Sequence, residues 1–260
     1  MADPKNSGDA SWFRHRPGVE PPALRLVCFP HAGAGSAAFA DWRSGLPAGV
    51  AVLAACHPGR QDRLAEPPVG SMDELADRSV AALLPWLDRP YALFGHSMGS
   101  AVAYEVARRL AELPVRQPEL LVASGRVAPH RVVPGDFPGD GDDEILASLR
   151  EVSGHRLDAF AEPALRELLM PALRADYRVL RTYRPEPAVL DVPIAGCVGI
   201  SDPRCDLVGI RTWAELTSAG FEHRLFAGDH FYPETHRSDL LGYLSRRLPC
   251  GGGIPLPARR

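Results

Sequence analysis

A mostly parallel α/β sheet covered by helices on both faces is the fold predicted by this 260-residue chain, and three observations carry it. Short apolar runs alternate with amphipathic stretches, the order that puts crossover helices between parallel strands. A Gly-x-Ser-x-Gly pentapeptide, Gly95-His96-Ser97-Met98-Gly99, sits where one apolar run gives way to a helical pattern. One long interval, 129–187, breaks the alternation with helical patterns of its own and reads as an inserted helical lid.

The strands are expected near 24–30, 50–56, 91–96, 119–125, 192–198 and 222–227, each a short apolar run bounded by turn residues. Helices are expected near 37–45, 72–87, 98–111, 207–219 and 234–247; in the third, Ala101, Val102, Tyr104, Val106, Ala107 and Leu110 recur at helical spacing. Within the insertion, Asp142-Asp143-Glu144 places acids at a helix start, and Leu165 to Leu173 is apolar on nearly all sides, as a cover over an apolar channel would be. Pro134 to Gly141, with three glycines and two prolines, reads as its hinge. Residues 1–11 and 250–260 are expected to be disordered, leaving one domain over 12–249.

Composition narrows the function classes. With 45% hydrophobic residues the chain can bury one large core, and a net charge of −3 without a basic block argues against nucleic acid. The first nine residues lack the apolar core of a signal peptide and no membrane span is visible, so a cytoplasmic monomer that does not bind membranes is expected. Five cysteines with no C-x-x-C and no His/Cys cluster predict neither a metal site nor a cofactor. Cys28, Cys56 and Cys197 fall in predicted strands as small buried hydrophobes. One lysine against 28 arginines reflects coding bias more than chemistry.

Placed between a strand and a helix, the pentapeptide reads as a nucleophile elbow and specifies the α/β-hydrolase version of the fold. Ser97 is the expected nucleophile. A serine hydroxyl is weak at neutral pH and requires a histidine base and a carboxylate to orient it, which in this fold follow in the order Ser, Asp or Glu, His. His230, in the loop leaving the last strand, is the expected base. His223 alternates outward in that strand, His236 lies in the next helical pattern, and the His96 ring is expected to point away from the site. Asp202 is the first choice for the acid because Pro203 turns the chain at the end of the preceding strand; Asp206 is the alternative, with an N-cap role open to it. Asp229 adjoins His230, where neighbours point apart.

Met98 is expected to give one oxyanion-hole amide and Ala32, in the small-residue loop Pro30 to Ser36, the other. The run Gly33-Ala34-Gly35-Ser36-Ala37-Ala38 also fits a dinucleotide fingerprint, but the next strand ends in Cys56-His57-Pro58 and not in an acid for the ribose.

Taken together, Trp12-Phe13-Arg14, Arg25 to Gly33, Pro58-Gly59-Arg60 with Arg63, the elbow, Gly199-Ile200-Ser201-Asp202 and Gly228-Asp229-His230-Phe231 span residues 12 to 245. In these segments the chain resembles the stand-alone type II thioesterases that accompany polyketide and nonribosomal peptide synthetases. It departs from their pattern at Gln61, where a small or acidic residue is expected, and at Cys56, in place of an aromatic one. The resemblance implies hydrolysis of stalled or misprimed acyl groups from the phosphopantetheine arm of an acyl or peptidyl carrier protein. Such partners are usually acidic, so a docking rim drawn from Arg60, Arg63, Arg150 and Arg156 is expected. A general esterase or lipase, an acyltransferase with the same triad, and a carrier-binding module with a vestigial site are the alternatives.

Overall fold

The computed structural model describes residues 12–133, 135–153 and 158–249. The two expected disordered ends, Pro134 of the hinge, Arg156 and Cys250 lie outside these. Seven strands form one sheet: β1 (Phe13–Arg16), β2 (Leu24–Phe29), β3 (Val50–Ala55), β4 (Tyr91–His96), β5 (Leu121–Ser124), β6 (Ile194–Gly199) and β7 (Phe221–Phe226). Their spatial order is β1-β3-β2-β4-β5-β6-β7; β1 runs antiparallel to β3 and every other pairing is parallel. All residues of β2 to β6 are buried, which is why these strands read as continuous apolar runs.

The core lies on both sides of the sheet. Along β2, Val27 and Phe29 join one cluster while Leu24, Leu26 and Cys28 join the other, the period of two that a strand imposes. Helices α1 (Met72–Leu83) and α2 (Met98–Ala111) cover the first face. Ser71 caps α1 by accepting the Glu74 N–H. Phe39, Trp42 and the C-terminal helix fill the second face.

Between β5 and β6 the chain inserts α3 (Asp142–Ser153), α4 (Asp158–Ala161) and α5 (Pro163–Thr182). Ile145, Leu146, Met170, Leu173 and Tyr177 form a third apolar cluster there, packed on Ala32 and Phe137. After β6 come α6 (Leu207–Arg211), α7 (Tyr232–Thr235) and α8 (Arg237–Arg247).

Several expectations need correction. Strand β1 escapes the sequence pattern because Phe13 is its one apolar residue and it sits at the sheet edge. Residues 37–45 form two 3-10 turns, not one helix, and 207–219 splits into α6 and a 3-10 turn. The stretch Leu165 to Leu173 is not buried all round. Leu165 and Leu168 are exposed while Met170 and Leu173 face the third cluster, because α5 packs along one side only.

The chain leaves β2 toward β3 on one side and returns to β4 on the other. The loops after β2 and β4 therefore diverge at the carboxyl edge, where an open parallel sheet forms its crevice.

Candidate active site

Ser97 stands at the tip of β4 with φ +54° and ψ −116°, a strained conformation for a residue with a side chain. The neighbouring glycines make the turn sterically feasible. A Cβ on Gly95 would lie 2.1 Å from the Gly99 carbonyl oxygen, and one on Gly99 would lie 2.0 Å from that of Phe29. The Ser97 N–H donates to the Ser124 carbonyl at 2.8 Å, tying the elbow to β5. Although serine is a preferred N-cap, the Ser97 side chain makes no cap bond to α2. Met98 opens that helix, where the first amides have no intrahelical acceptor.

Asp202 and His230 come from the loops after β6 and β7, which touch backbone to backbone: a Cβ on Gly199 would lie 2.2 Å from the Asp229 carbonyl oxygen. Ser201 N–H donates to the Gly228 carbonyl at 3.0 Å. Across that junction His230 Nδ1 meets Asp202 Oδ2 at 2.8 Å, with both residues buried. A carboxylate only accepts, so Nδ1 is the donor in this contact and the lone pair of a singly protonated ring lies on Nε2. Asp202 Oδ1 accepts the Arg204 N–H at 2.9 Å, and the Arg204 side chain reaches Ser148 and Glu151 of α3.

The alternatives lie elsewhere. Asp206 caps α6 by accepting the Gly209 N–H at 2.7 Å, and Asp229 accepts the Phe231 N–H at 2.8 Å. His223 is exposed, and His236 caps α8 by position. His96 is closer to the site than expected. Its ring is buried with its centroid 5.0 Å from that of His230, and Nδ1 lies 2.9 Å from Ser124 Oγ. Burial, with His230 and His31 nearby, holds the His96 pKa well below the usual histidine value.

Ser97, His230 and Ala32 line one cavity of about 330 Å³, lined also by Ser148 and Val152 of α3 and Tyr177 and Leu180 of α5. The wall is not purely apolar. Arg126, 7% exposed, lines it with its guanidinium 5.2 Å from the Phe137 ring centroid. Among the described residues no carboxylate pairs with Arg126, and its buried Nε lacks a hydrogen-bond partner. Burial pulls its pKa down to about 10, so it remains a cation at neutral pH. The sequence reading passed over Arg126; its position just beyond β5, at the carboxyl edge of the sheet, is the signal that could have found it.

Arg60 and Arg63 do not form a rim. Arg60 is buried in a bidentate pair with Asp176 of α5, with bonds of 2.8 and 2.9 Å. Arg63 is buried against Glu66, the Cys56 carbonyl and the Trp12 ring. Arg150 is exposed. Gln61 and Cys56, the two departures from the family pattern, touch each other: Gln61 Oε1 accepts the Cys56 thiol at 3.2 Å and the Ser36 hydroxyl at 2.9 Å.

A thioesterase-domain family model matches residues 24–248. The chain belongs to the thioesterase family. Thioesterase PikA5 of Streptomyces venezuelae is 37% identical to it over 255 residues, 97% of this chain and 90% of that protein. The type II thioesterase BorB from the borrelidin biosynthetic cluster superposes with a TM-score of 0.82 at 38% identity, covering 94% of this chain and all of that one (100%). The RedJ thioesterase of the prodiginine pathway in Streptomyces coelicolor gives a TM-score of 0.78 at 33% identity over 88% of each chain. This thioesterase is thus a hydrolase of the type II group on an α/β-hydrolase fold. No helix among its described residues is long and apolar enough to cross a membrane, and no group of three or more His, Cys, Asp or Glu there could hold a metal ion.

Proposed function

We propose that this thioesterase hydrolyses acyl thioesters on the phosphopantetheine arm of polyketide or nonribosomal peptide carrier proteins, acting as a cytoplasmic monomer. The observation that carries the reading is the shared cavity of Ser97 and His230, with His230 Nδ1 held by Asp202 at 2.8 Å. Ser97 Oγ attacks the thioester carbonyl while His230 Nε2 takes its proton, and Asp202 stabilises the imidazolium that forms. The amides of Ala32 and Met98 receive the oxyanion. Collapse of the tetrahedral intermediate breaks the carbon–sulfur bond and His230 returns the proton to the departing thiolate. Water, deprotonated by His230, then attacks the acyl-serine, and a second collapse releases the carboxylic acid. Helices α3 to α5 act as a lid over the acyl group. Arg126 gives the acyl cavity one cationic wall, so the channel is not lined by hydrocarbon alone.

The test compares one short acyl group on a carrier protein, on free pantetheine and as a p-nitrophenyl ester. A carrier-protein thioesterase shows its highest kcat/KM on the first. Equal turnover of carrier and pantetheine thioesters removes the carrier from the reading, and ester cleavage without thioester cleavage overturns it.

A further inference from the structure

The buried pair of Arg60 and Asp176 does more than join two elements. Asp176, 3% exposed, lies in the second half of α5; Arg60, 5% exposed, lies in the loop after β3. Asp176 Oδ2 accepts the Gly33 N–H at 2.7 Å, and one Arg60 terminal nitrogen donates to the Ala34 carbonyl at 2.9 Å. A single ion pair therefore holds two consecutive residues of the loop that carries Ala32. The Gly33 N–H belongs to the peptide joining Ala32 to Gly33, so its orientation constrains the neighbouring Ala32 amide. Gly33 has φ +78°, and a Cβ there would lie 2.9 Å from Leu173 Cδ1, so α5 also presses directly on the turn. Leu173, Asp176 and Tyr177 share one face of α5 by their spacing. The first meets Gly33, the second bonds its amide, and the third lines the Ser97 cavity.

Stability alone does not account for this arrangement. A buried ion pair can usually be replaced by apolar residues of similar volume at little cost or with a gain, because desolvation offsets the attraction. What an apolar pair cannot supply is an acceptor for the Gly33 amide and a donor for the Ala34 carbonyl. We propose that Arg60 and Asp176 are positioning residues that hold the Ala32 amide in its oxyanion-binding orientation, so that the oxyanion hole is complete only when α5 is seated over the acyl cavity. The inference rests on the serine mechanism above.

The test is the double variant Arg60→Met/Asp176→Leu, read by thermal melting, by kcat and KM on an acyl-pantetheine, and by affinity for a trifluoromethyl ketone bearing the same acyl chain. Ser97 Oγ adds to that ketone, its proton passes to His230, and the resulting oxyanion occupies the hole without turnover. We expect a melting point within a few degrees of the parent, a kcat lower by about 10²-fold with KM changed less than threefold, and ketone affinity lowered in parallel, the pattern of a lost oxyanion donor. A folded double variant with kcat within threefold of the parent overturns the proposal, as does a fall in kcat with unchanged ketone affinity. Should the double variant fail to fold, Asp176→Val, which removes the acceptor, is read beside Asp176→Asn, which retains one: parallel losses in kcat and ketone affinity for the first, with recovery toward the parent in the second, uphold the proposal, and unchanged ketone affinity in Asp176→Val refutes it. Ser97→Ala separates the two failures. If it stays active the serine reading has failed; if it is inactive while the pair is dispensable, only this inference has.

Discussion

Asp202 Oδ2 lies 2.8 Å from His230 Nδ1, whereas Asp206, four residues further on, spends its carboxylate on the Gly209 amide. The two acids therefore have separable effects. Asp202→Asn is expected to lower kcat by about 10⁴-fold, because an amide facing Nδ1 favours the wrong tautomer of His230. Asp206→Asn keeps a good N-cap oxygen and should leave kcat within a factor of about two. Steady-state kinetics on both variants checks this, and the reverse ranking would transfer the role to Asp206.

Ser97→Ala removes the attacking oxygen and also places a different residue at φ +54°. Turnover should fall by about 10⁴- to 10⁶-fold with the melting point nearly unchanged, since Ser97 makes no cap bond whose loss would weaken α2. Retention of a tenth of the parental activity in a folded variant would remove Ser97 from the mechanism.

Acid should destabilise the fold through histidines outside the Asp202–His230 pair. Burial, reinforced by Arg60 and Arg63, holds His57 well below the usual histidine range, and among the described residues neither of its ring nitrogens has a hydrogen-bond partner. His96 is depressed in the same direction. In the unfolded chain both protonate near 6.5 while the folded chain keeps them neutral, so the unfolded state binds more protons below that pH. Their contribution is thus complete above about 6.5 and is lost as pH falls toward the folded values, at up to about 1.4 kcal/mol per pH unit for each. Melting curves at pH 7.5 and 5.5 should show a smaller drop for His57→Leu than for the parent. An equal drop would show that His57 is not a source of the acid sensitivity.

The strands that carry the site were legible because β2 to β6 are buried on both faces and their composition leaves no other reading. The meeting of Asp202 with His230, and the place of Ser97 in the same cavity wall as His230, were legible because each of the three follows the end of a strand. Arg60 and Arg63 were misread because an arginine in a polar loop looks solvent-exposed until its partner is known. For Arg60 that partner is Asp176, 116 residues away, and no local pattern announces it. Asp176 was missed for the same reason: a carboxylate on an amphipathic helix reads as part of the wet face. Strand β1 was missed because a four-residue edge strand with one buried side chain has no apolar period.

Arg126 gives the least conventional expectation. A cation that is 7% exposed and lacks a carboxylate partner among the described residues has given up most of its hydration for a Phe137 ring at 5.2 Å. Its depressed pKa of about 10 records that cost. Its compensation is weak, coming from Asp136 across the same cavity without an ion-pair contact, and a buried charge so held is destabilising, so such a group persists where it serves the cavity it lines, at the expense of stability. Arg126→Met removes the charge, keeps an unbranched side chain and can still contact Phe137. It is expected to raise the thermal midpoint by a few degrees while lowering kcat/KM by about tenfold, with Arg126→Lys between the two because an ammonium lacks the planar face that lies on the ring. Melting and kinetics on the same preparations check it. A lower midpoint for Arg126→Met would show that the ring contact and the cavity already compensate the charge. Unchanged kinetics with a raised midpoint would show that the arginine is a cost with no return in catalysis.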